Sequence, residues 1–256
     1  MIEPRRCLVT GASKGIGYAI ADRLLADGHR VAMTARNREH LDGAARALSD
    51  KHGGRVLALP GDVTSAEQVG ALFADVERQW GAVEVLACSA GTGFASALTS
   101  TTDEDWHRLL DVNLTAPFRC LRAAVPAMER AGWGRIVVVA SIVAKRGEAQ
   151  VSAYTASKHG VLGLVRAASV EYAKAGITVN AVCPGYVDTP MTDDTIASIG
   201  ARTGKSVDES RALLARRQPI GRLIEADEVA DAVSFCVNNA GITGQGIQID
   251  GGALQS

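Results

Sequence analysis

The chain of 256 residues lacks both a long hydrophobic run and an excess of charge of either sign. Its longest apolar stretches, such as residues 136–140, fall far short of the roughly 18–20 residues of a membrane span, and the first residues lack a signal peptide's pattern. Lys and Arg number 27 against 28 Asp and Glu, without a basic run that would predict a nucleic-acid surface. We therefore expect a cytoplasmic protein that binds small molecules and engages neither membranes nor nucleic acids.

Cysteines are few, and their spacing predicts no bridges. The five are odd in number, widely separated, set among apolar residues and without C-x-x-C spacing: Cys7, Cys88, Cys120, Cys183 and Cys236. This distribution indicates reduced thiols in the core of a cytosolic protein. No metal site is predicted. The sequence also lacks linkers, low-complexity tracts and internal repeats, which favours a single domain over residues 1–256.

Short apolar runs alternate regularly with amphipathic stretches in this chain, which is 47% hydrophobic and 21% charged. Runs rich in Val, Ile and Leu predict strands at residues 7–10, 30–34, 56–59, 83–88, 135–140, 178–183 and 246–249. Amphipathic stretches predict helices at residues 15–27, 38–51, 65–79, 102–130, 152–174 and 226–237. The alternation predicts an α/β fold: a Rossmann-type, doubly wound parallel sheet of about seven strands with helices on both faces. Residues 190–221 interrupt it with an extra helical insertion, which we interpret as a substrate lid.

A glycine-rich turn follows the first predicted strand. Gly11, Gly15 and Gly17 occupy the sequence Thr10-Gly-Ala-Ser-Lys-Gly-Ile-Gly17, at the mouth of the first helix. Because glycine has no Cβ, backbone N–H groups and the positive end of the helix dipole can approach a pyrophosphate there. This position after strand one predicts a dinucleotide site; a glycine turn without a ligand is the alternative.

Two cations lie where such a site would meet the adenosine ribose. Arg36 follows the second predicted strand, and Lys14 lies in the glycine turn. Both suit a ribose 2′-phosphate, whereas an acidic residue would accept hydrogen bonds from a free 2′-hydroxyl. The sequence therefore predicts NADP in preference to NAD, with a solvated Arg36 as the alternative. Asp62, which precedes Val63 after the third strand, contacts the adenine amino group or caps the next helix.

Tyr154, Lys158 and Ser141 form the strongest candidate catalytic group. Tyr154 and Lys158 stand four residues apart, so they share one face of a helix, and Ser141 follows the fifth predicted strand. A cation a few ångströms from a phenol lowers its pKa from about 10 toward the working range, so Tyr154 can give or take a proton. Ser141 would hydrogen-bond the substrate oxygen, and Lys158 would also hold the nicotinamide ribose. An ordinary amphipathic helix face is the alternative.

The same residues resemble the short-chain dehydrogenase/reductase family. The resemblance rests on Thr10–Gly17, Ser141, the Tyr154-x-x-x-Lys158 pair, Asn113 in Asp-Val-Asn-Leu and the segment 184–190, and it covers nearly the whole chain. It implies a catalytic tetrad of Asn113, Ser141, Tyr154 and Lys158, in which Asn113 holds a water that links Lys158 to solvent. It implies that Val187 and Thr189 orient the nicotinamide carboxamide. The remaining positions that match cofactor-binding residues are Thr10, Gly11, Ser13, Lys14, Gly15, Ile16, Gly17, Arg36, Asp62, Val63, Ala90, Gly91, Pro184 and Gly185.

One segment departs from that family. Cys88-Ser-Ala-Gly91 stands where the family usually has Asn-Asn-Ala-Gly. Ala90 and Gly91 still allow the cofactor to pass close to the backbone, Ser89 can substitute through its hydroxyl, and Cys88 is expected to fill core space. We predict lower stability from this departure, without loss of activity.

Several further segments are similar to 3-oxoacyl-thioester reductases and aromatic polyketide ketoreductases. The segments are residues 141–147, 157–161, 176–185 and 219–222, and the resemblance implies a 3-oxoacyl thioester or a polyketide-type ketone as the substrate. The NADP predicted from Arg36 favours reduction of that ketone by NADPH. Oxidation of a secondary alcohol or hydroxy acid and an NADP-sensing regulator are the alternatives. The family resemblance also implies a homotetramer or homodimer. The basic residues of the insertion either bind thioester phosphates or lie on a solvated helix: Arg202, Lys205, Arg211, Arg216 and Arg217. The predicted substrate-pocket walls are Gln150, Val151, Tyr186 and Met191.

Overall fold

A computed structural model describes residues 3–255, and its centre is a single parallel sheet. Seven strands pair in the order β3-β2-β1-β4-β5-β6-β7, every pair parallel. The strands are β1 Arg6–Thr10, β2 Arg30–Thr34, β3 Val56–Ala58, β4 Val85–Cys88, β5 Gly134–Val139, β6 Ile177–Pro184 and β7 Gly246–Ile249. The predicted doubly wound sheet is confirmed. Because the chain crosses from β3 back to β4 beside β1, a crevice opens at the carboxyl ends of the central strands.

Helices cover both faces of this sheet. They are α1 Gly15–Ala26, α2 Arg38–His52, α3 Ala66–Trp80, α4 Asp103–Leu110, α5 Ala116–Ala131, α6 Ser152–Tyr172, α7 Pro190–Thr203, α8 Val207–Ala215 and α9 Ala226–Asn238. Local signals begin several of them, since the side chains of Asn37, Ser65 and Thr102 accept N–H groups of the first turns of α2, α3 and α4.

The two faces of the sheet carry separate cores, because successive strand residues point to opposite sides. Leu8 faces the core formed with α3, α5 and α6, whereas Cys7 and Val9 face the core formed with α1, α2 and α9. Ile136 and Val137 alternate in the same way in β5. Burial on both sides explains why the strands are continuous apolar runs.

The helix predicted over residues 102–130 is interrupted. A π-helical segment, Asp111–Thr115, separates α4 from α5. Its central residue, Asn113, is buried, and its side chain is hydrogen-bonded to residues of two other elements. The side-chain partners of Asn113 are 21 and 44 residues away in the sequence, so helical periodicity carries no information about them.

The insertion contains two helices, α7 and α8, where the sequence predicted one helical segment. Ile196, Ile199, Leu214 and Leu223 form a small separate core there, with Tyr186 packed against it. The insertion therefore has apolar packing of its own beside the main sheet, and its role as a substrate lid stays a prediction.

All five cysteines are free and buried. Between residues 3 and 255, none of the helices combines the length and the apolar character that crossing a membrane requires.

Candidate active site

A cleft of about 940 Å³ lies at the carboxyl ends of the central strands. It brings together most of the residues that the sequence singled out. Those that line it are Gly11, Ser13, Lys14, Gly15, Ile16, Gly17, Arg36, Asp62, Val63, Ala90, Gly91, Ser141, Tyr154, Lys158, Pro184, Gly185, Val187, Thr189 and Met191. Thr10, Asn113, Gln150, Val151 and Tyr186 are not among the residues that line it.

The glycine turn is packed too closely for side chains. Gly11 has φ +67°, and a Cβ on it would lie 2.7 Å from the Cα of Ala90. A Cβ on Gly17 would overlap the carbonyl oxygen of Gly11. The start of α1 therefore sits directly against the turn, and both line the cleft. This cradle fits the pyrophosphate of a dinucleotide, because the N–H groups of a helix's first turn have no partner within the helix.

Thr10 joins the two loops that begin at the centre of the sheet. Its hydroxyl accepts the backbone N–H groups of Ser89 and Ala90, each at 3.1 Å. Cys88, just before them, is 3% exposed and belongs to the core, as predicted. A hydrogen bond with Cys120 and burial both raise the pKa of the Cys88 thiol. The effect of the Cys88-Ser89 departure on stability stays a prediction.

Arg36 and Lys14 lie at one end of the cleft with Asp62. The carboxylate of Asp62 accepts the backbone N–H of Thr64 at 2.9 Å and its hydroxyl at 2.7 Å. Burial raises the pKa of Asp62, but the Thr64 hydrogen bonds and the Arg36 charge outweigh it and lower the pKa overall. Ser65 and not Asp62 caps α3, so Asp62 shapes the turn before that helix while it also faces the cleft. Its contact with the adenine amino group stays a prediction.

Ser141, Tyr154 and Lys158 converge at the other end. The ammonium nitrogen of Lys158 lies 5.6 Å from the centre of the Tyr154 ring and donates to the carbonyl of Val139 at 2.9 Å. Burial lowers the pKa of Lys158 to about 8. Burial also raises the pKa of Tyr154, and a hydrogen bond with Ser141 lowers it in part. A phenol, a hydroxyl and an amine thus share a desolvated corner of the cleft.

The buried side chain of Asn113 connects the loop after β4 to the helix that carries Tyr154 and Lys158. Its side-chain oxygen accepts the N–H of Thr92 at 3.0 Å, and its nitrogen donates to the Thr92 carbonyl at 2.9 Å and the Ser157 hydroxyl at 3.1 Å. Ser157 in turn donates to the carbonyl of Tyr154. A Cβ on Gly91 would lie 3.4 Å from the Asn113 side-chain oxygen and 3.7 Å from the Lys158 ammonium. Asn113 is therefore near Lys158, and its side chain holds the loop after β4 against α6.

Three of the four predicted substrate-pocket residues are engaged elsewhere. Tyr186 donates its hydroxyl to Glu148 at 2.7 Å, and burial with the Glu148 contact raises its pKa to about 12. Gln150 has φ +64°, and its backbone carbonyl accepts the N–H of Ser96 at 2.7 Å. Val151 pairs with Ser96 in an isolated bridge. Of the four, Met191 lines the cleft, and the role of all four as substrate-pocket walls stays a prediction.

The basic residues of the insertion divide into two groups. Arg202 donates to Gln150, Arg211 pairs with Asp188, and Arg217 pairs with Glu148. These three connect the insertion to the loops beside the cleft. The other two, Lys205 and Arg216, are exposed.

Sequence reasoning missed Glu148 and Lys145 in the loop after Ser141. Arg217 and Tyr186 both contact the Glu148 carboxylate, and Lys145 donates to the carbonyl of Gly246 at 2.6 Å. Lys145 lies in segment 141–147, which resembles ketoreductases, and Glu148 lies just beyond it. Charged loop residues are ordinarily solvated, so the sequence did not indicate the contacts that these two side chains make.

Comparison with known proteins identifies the family. A family model described as enoyl-(acyl carrier protein) reductase matches residues 11–253. The chain belongs to the short-chain dehydrogenase/reductase family. Cis-4-hydroxycyclohexanecarboxylate dehydrogenase of Sinomonas cyclohexanicum is 39% identical, over 97% of this chain and 96% of the relative. The 3-oxoacyl-[acyl-carrier-protein] reductase of Escherichia coli is 34% identical, over 98% and 97% of the two chains.

A solved structure agrees with the fold of this family member. A variant of actinorhodin polyketide ketoreductase, crystallised with NADPH, is 37% identical and superimposes with a TM-score of 0.94. The match covers 98% of this chain and 97% of that one. The chain is therefore a short-chain oxidoreductase that acts on hydroxyl or ketone groups.

Proposed function

We propose that this short-chain dehydrogenase/reductase is an NADPH-dependent ketoreductase that reduces a 3-oxoacyl thioester or a polyketide-type ketone. The observation that carries the proposal is the convergence of Ser141, Tyr154 and Lys158 at the end of a cleft whose other end holds the glycine turn. The relatives that reduce 3-oxoacyl and polyketide ketones support the substrate class.

The residues that line the cleft indicate how the cofactor would be held. Glycine-turn N–H groups would hold the pyrophosphate, while Arg36 and Lys14 would hold the 2′-phosphate. The polyketide ketoreductase crystallised with NADPH supports this choice. When bound, NADPH supplies a hydride from its nicotinamide C4 to the carbonyl carbon of the substrate.

Residues of this chain stabilise the substrate carbonyl oxygen and supply its proton. Ser141 donates a hydrogen bond to the substrate oxygen as negative charge develops, and Tyr154 gives that oxygen its proton. Because burial raises the pKa of Tyr154, the tyrosinate needs a nearby cation. Lys158, with its pKa lowered to about 8, is still mostly protonated at pH 7 and supplies that charge.

A second candidate is the reverse reaction, oxidation of a secondary alcohol or hydroxy acid. The 39% identity to a hydroxycyclohexanecarboxylate dehydrogenase favours it, and the same residues would move the proton the other way. The phosphorylated cofactor expected from Arg36 favours reduction. An NADP-sensing regulator would not need the complete Tyr154 and Lys158 pair.

The thioester proposal depends on the exposed cations of the insertion. Lys205 and Arg216 are available to meet phosphates of a coenzyme A or phosphopantetheine arm. Arg202, Arg211 and Arg217 have protein partners already, so they are expected to contribute less.

The test measures oxidation of NADPH and NADH with a 3-oxoacyl thioester and, in parallel, with bulky cyclic and aromatic ketones. We expect turnover with NADPH and the thioester, and a loss of kcat of about 100-fold or more in Tyr154→Phe because the proton donor is removed. Tyr172→Phe, at the far end of the same helix, is the matched control and should behave as wild type. Turnover only with bulky ketones would overturn the thioester substrate, and turnover only with NADH would overturn the role of Arg36. Near-wild-type activity in Tyr154→Phe would overturn the mechanism.

We also propose a homo-oligomer, a homotetramer or homodimer, in the cytoplasm. Exposed aromatic side chains on α4 and α5, Trp106 and Phe118, support a surface that pairs with a second copy. Five buried free thiols support a reducing compartment.

A further inference from the structure

Gln218 is a buried polar residue that has no part in the mechanism above. It lies just after α8, where the insertion rejoins the body, and is 1% exposed. Its side-chain oxygen accepts the N–H of Tyr186 at 2.7 Å. Its side-chain nitrogen donates to the carbonyl of Tyr186 at 3.2 Å and to that of Arg222 at 2.7 Å. Both polar atoms of the amide are therefore hydrogen-bonded to backbone groups.

The Gln218 amide bonds both the N–H and the carbonyl of Tyr186, as the backbone of a neighbouring strand would do in a sheet. Asn113 makes the same paired contact with the N–H and carbonyl of Thr92. Thr92 and Tyr186 belong to loops that begin beyond β4 and β6, on either side of β5. Two buried amides thus hold the backbones of the two loops that flank Ser141 at the end of β5.

The loop held by Gln218 borders the reacting end of the cleft. Pro184, Gly185, Val187 and Thr189 line the cleft together with Tyr154 and Ser141. A Cβ on Gly185 would overlap the side-chain oxygen of Gln218. The amide therefore lies directly against the loop's backbone, with no layer of side chains between them.

The other contacts of this loop determine what the loss of Gln218 would do. The Tyr186 carbonyl also accepts the N–H of Ile224 at 2.9 Å, and the Asp188 N–H donates to the Ile224 carbonyl at 2.8 Å. Without the amide, the Tyr186 N–H loses its acceptor while the bridge to Ile224 remains. The loop would then be loosened at the Gly185–Tyr186 peptide and still be attached to the body.

We infer that Gln218 is a positioning residue, which fixes the 184–189 loop against the nicotinamide half of the cofactor. This inference rests on the proposed function, because a hydride donor must lie beside Tyr154 and Ser141, and hence beside this loop. The adenosine half lies at the opposite end, near Arg36 and Lys14, where Gln218 makes no contact.

The test compares binding of the whole cofactor with binding of its adenosine half. In Gln218→Met, which keeps the length of the side chain and removes its polar atoms, we expect NADPH to bind about tenfold more weakly by isothermal titration calorimetry. Binding of 2′,5′-ADP, which lacks the nicotinamide half, should stay within about twofold of wild type. The kcat for ketone reduction should also fall, with a larger deuterium isotope effect from NADPH labelled at C4.

Two further variants make the result decisive. Gln218→Asn keeps an amide but shortens the side chain by one methylene, which withdraws the acceptor from the Tyr186 N–H, so it should give the same selective loss if Gln218→Met does not fold. Gln245→Met is the control, because the exposed side chain of Gln245 donates only to the carbonyl of Thr243; it should change neither affinity.

Equal losses for NADPH and 2′,5′-ADP, or no loss for either, would overturn the positioning role. The proposed function has a separate criterion, since wild type that binds NADPH without reducing any ketone would refute the activity and leave the binding comparison valid. If wild type binds only NADH, the same comparison is made with NADH and AMP, and a selective loss of NADH binding would still support the role of Gln218.

Discussion

The glycine turn provides a sharp test, because two helical glycines of this chain differ in the space that a Cβ would have. Gly17 lies in the first turn of α1, and Gly70 lies within α3; neither has a positive φ. A Cβ on Gly17 would overlap the Gly11 carbonyl oxygen and lie 2.8 Å from its carbon and 3.1 Å from the Ala12 Cα. A Cβ on Gly70 would have nothing within 4 Å. The same substitution to alanine should therefore have opposite effects.

The expected magnitudes follow from these distances. The atoms near Gly17 belong to the backbone, so they cannot rotate away, and the turn must move by several tenths of an ångström or more. Overpacking of this kind costs about 1–3 kcal/mol, so Gly17→Ala should lower the free energy of unfolding by about 2 kcal/mol. Gly70→Ala should raise it by roughly 0.5–1 kcal/mol, since alanine is the better helix former.

The assay is urea unfolding followed by circular dichroism, together with NADPH titration of each variant. Because the N–H groups that would hold the pyrophosphate move with the turn, Gly17→Ala should also weaken NADPH binding about tenfold or more, while Gly70→Ala should leave it unchanged. A Gly17→Ala protein with wild-type stability and wild-type NADPH affinity would refute the close packing of the turn as the basis of the cofactor site.

Two other predictions concern the buried amine and the assembly. Burial lowers the pKa of Lys158 from 10.5 to about 8, so the charged side chain destabilises the folded state below pH 8. This free-energy cost decreases between pH 8 and pH 10.5, because the folded state loses the proton at a lower pH than the unfolded state does. Lys158→Met should therefore abolish ketone reduction. In urea titrations it should raise the free energy of unfolding by about 2 kcal/mol at pH 7 and by less at pH 10. A variant that is less stable than wild type at pH 7 would contradict this prediction. Light scattering of the wild type should give a multiple of 26.7 kDa, and Phe118→Glu, on α5, should lower it; a mass of 26.7 kDa for the wild type would count against the oligomer.

The sequence by itself was sufficient for the features that depend on local pattern. Apolar runs in alternation with amphipathic stretches predicted the seven-stranded sheet, because a strand buried on both faces must be apolar throughout. The glycine turn was predictable because close backbone approach requires glycine wherever it occurs. The spacing of Tyr154 and Lys158 was predictable because a helix brings residues four apart to one face.

Only the tertiary structure decided which polar groups meet across large separations in the chain. Gln218 contacts Tyr186 from 32 residues away, Arg217 contacts Glu148 from 69, and Asn113 reaches Ser157 from 44. Only Asn113 was singled out beforehand, by the family resemblance. Nothing local distinguishes the side chains of Gln218, Arg217 and Glu148 from solvated ones, since an amide or a carboxylate has the same sequence neighbours whether it is buried or exposed. Their roles arise from the folding of loops onto one edge of the sheet, where each buried polar group must find a partner.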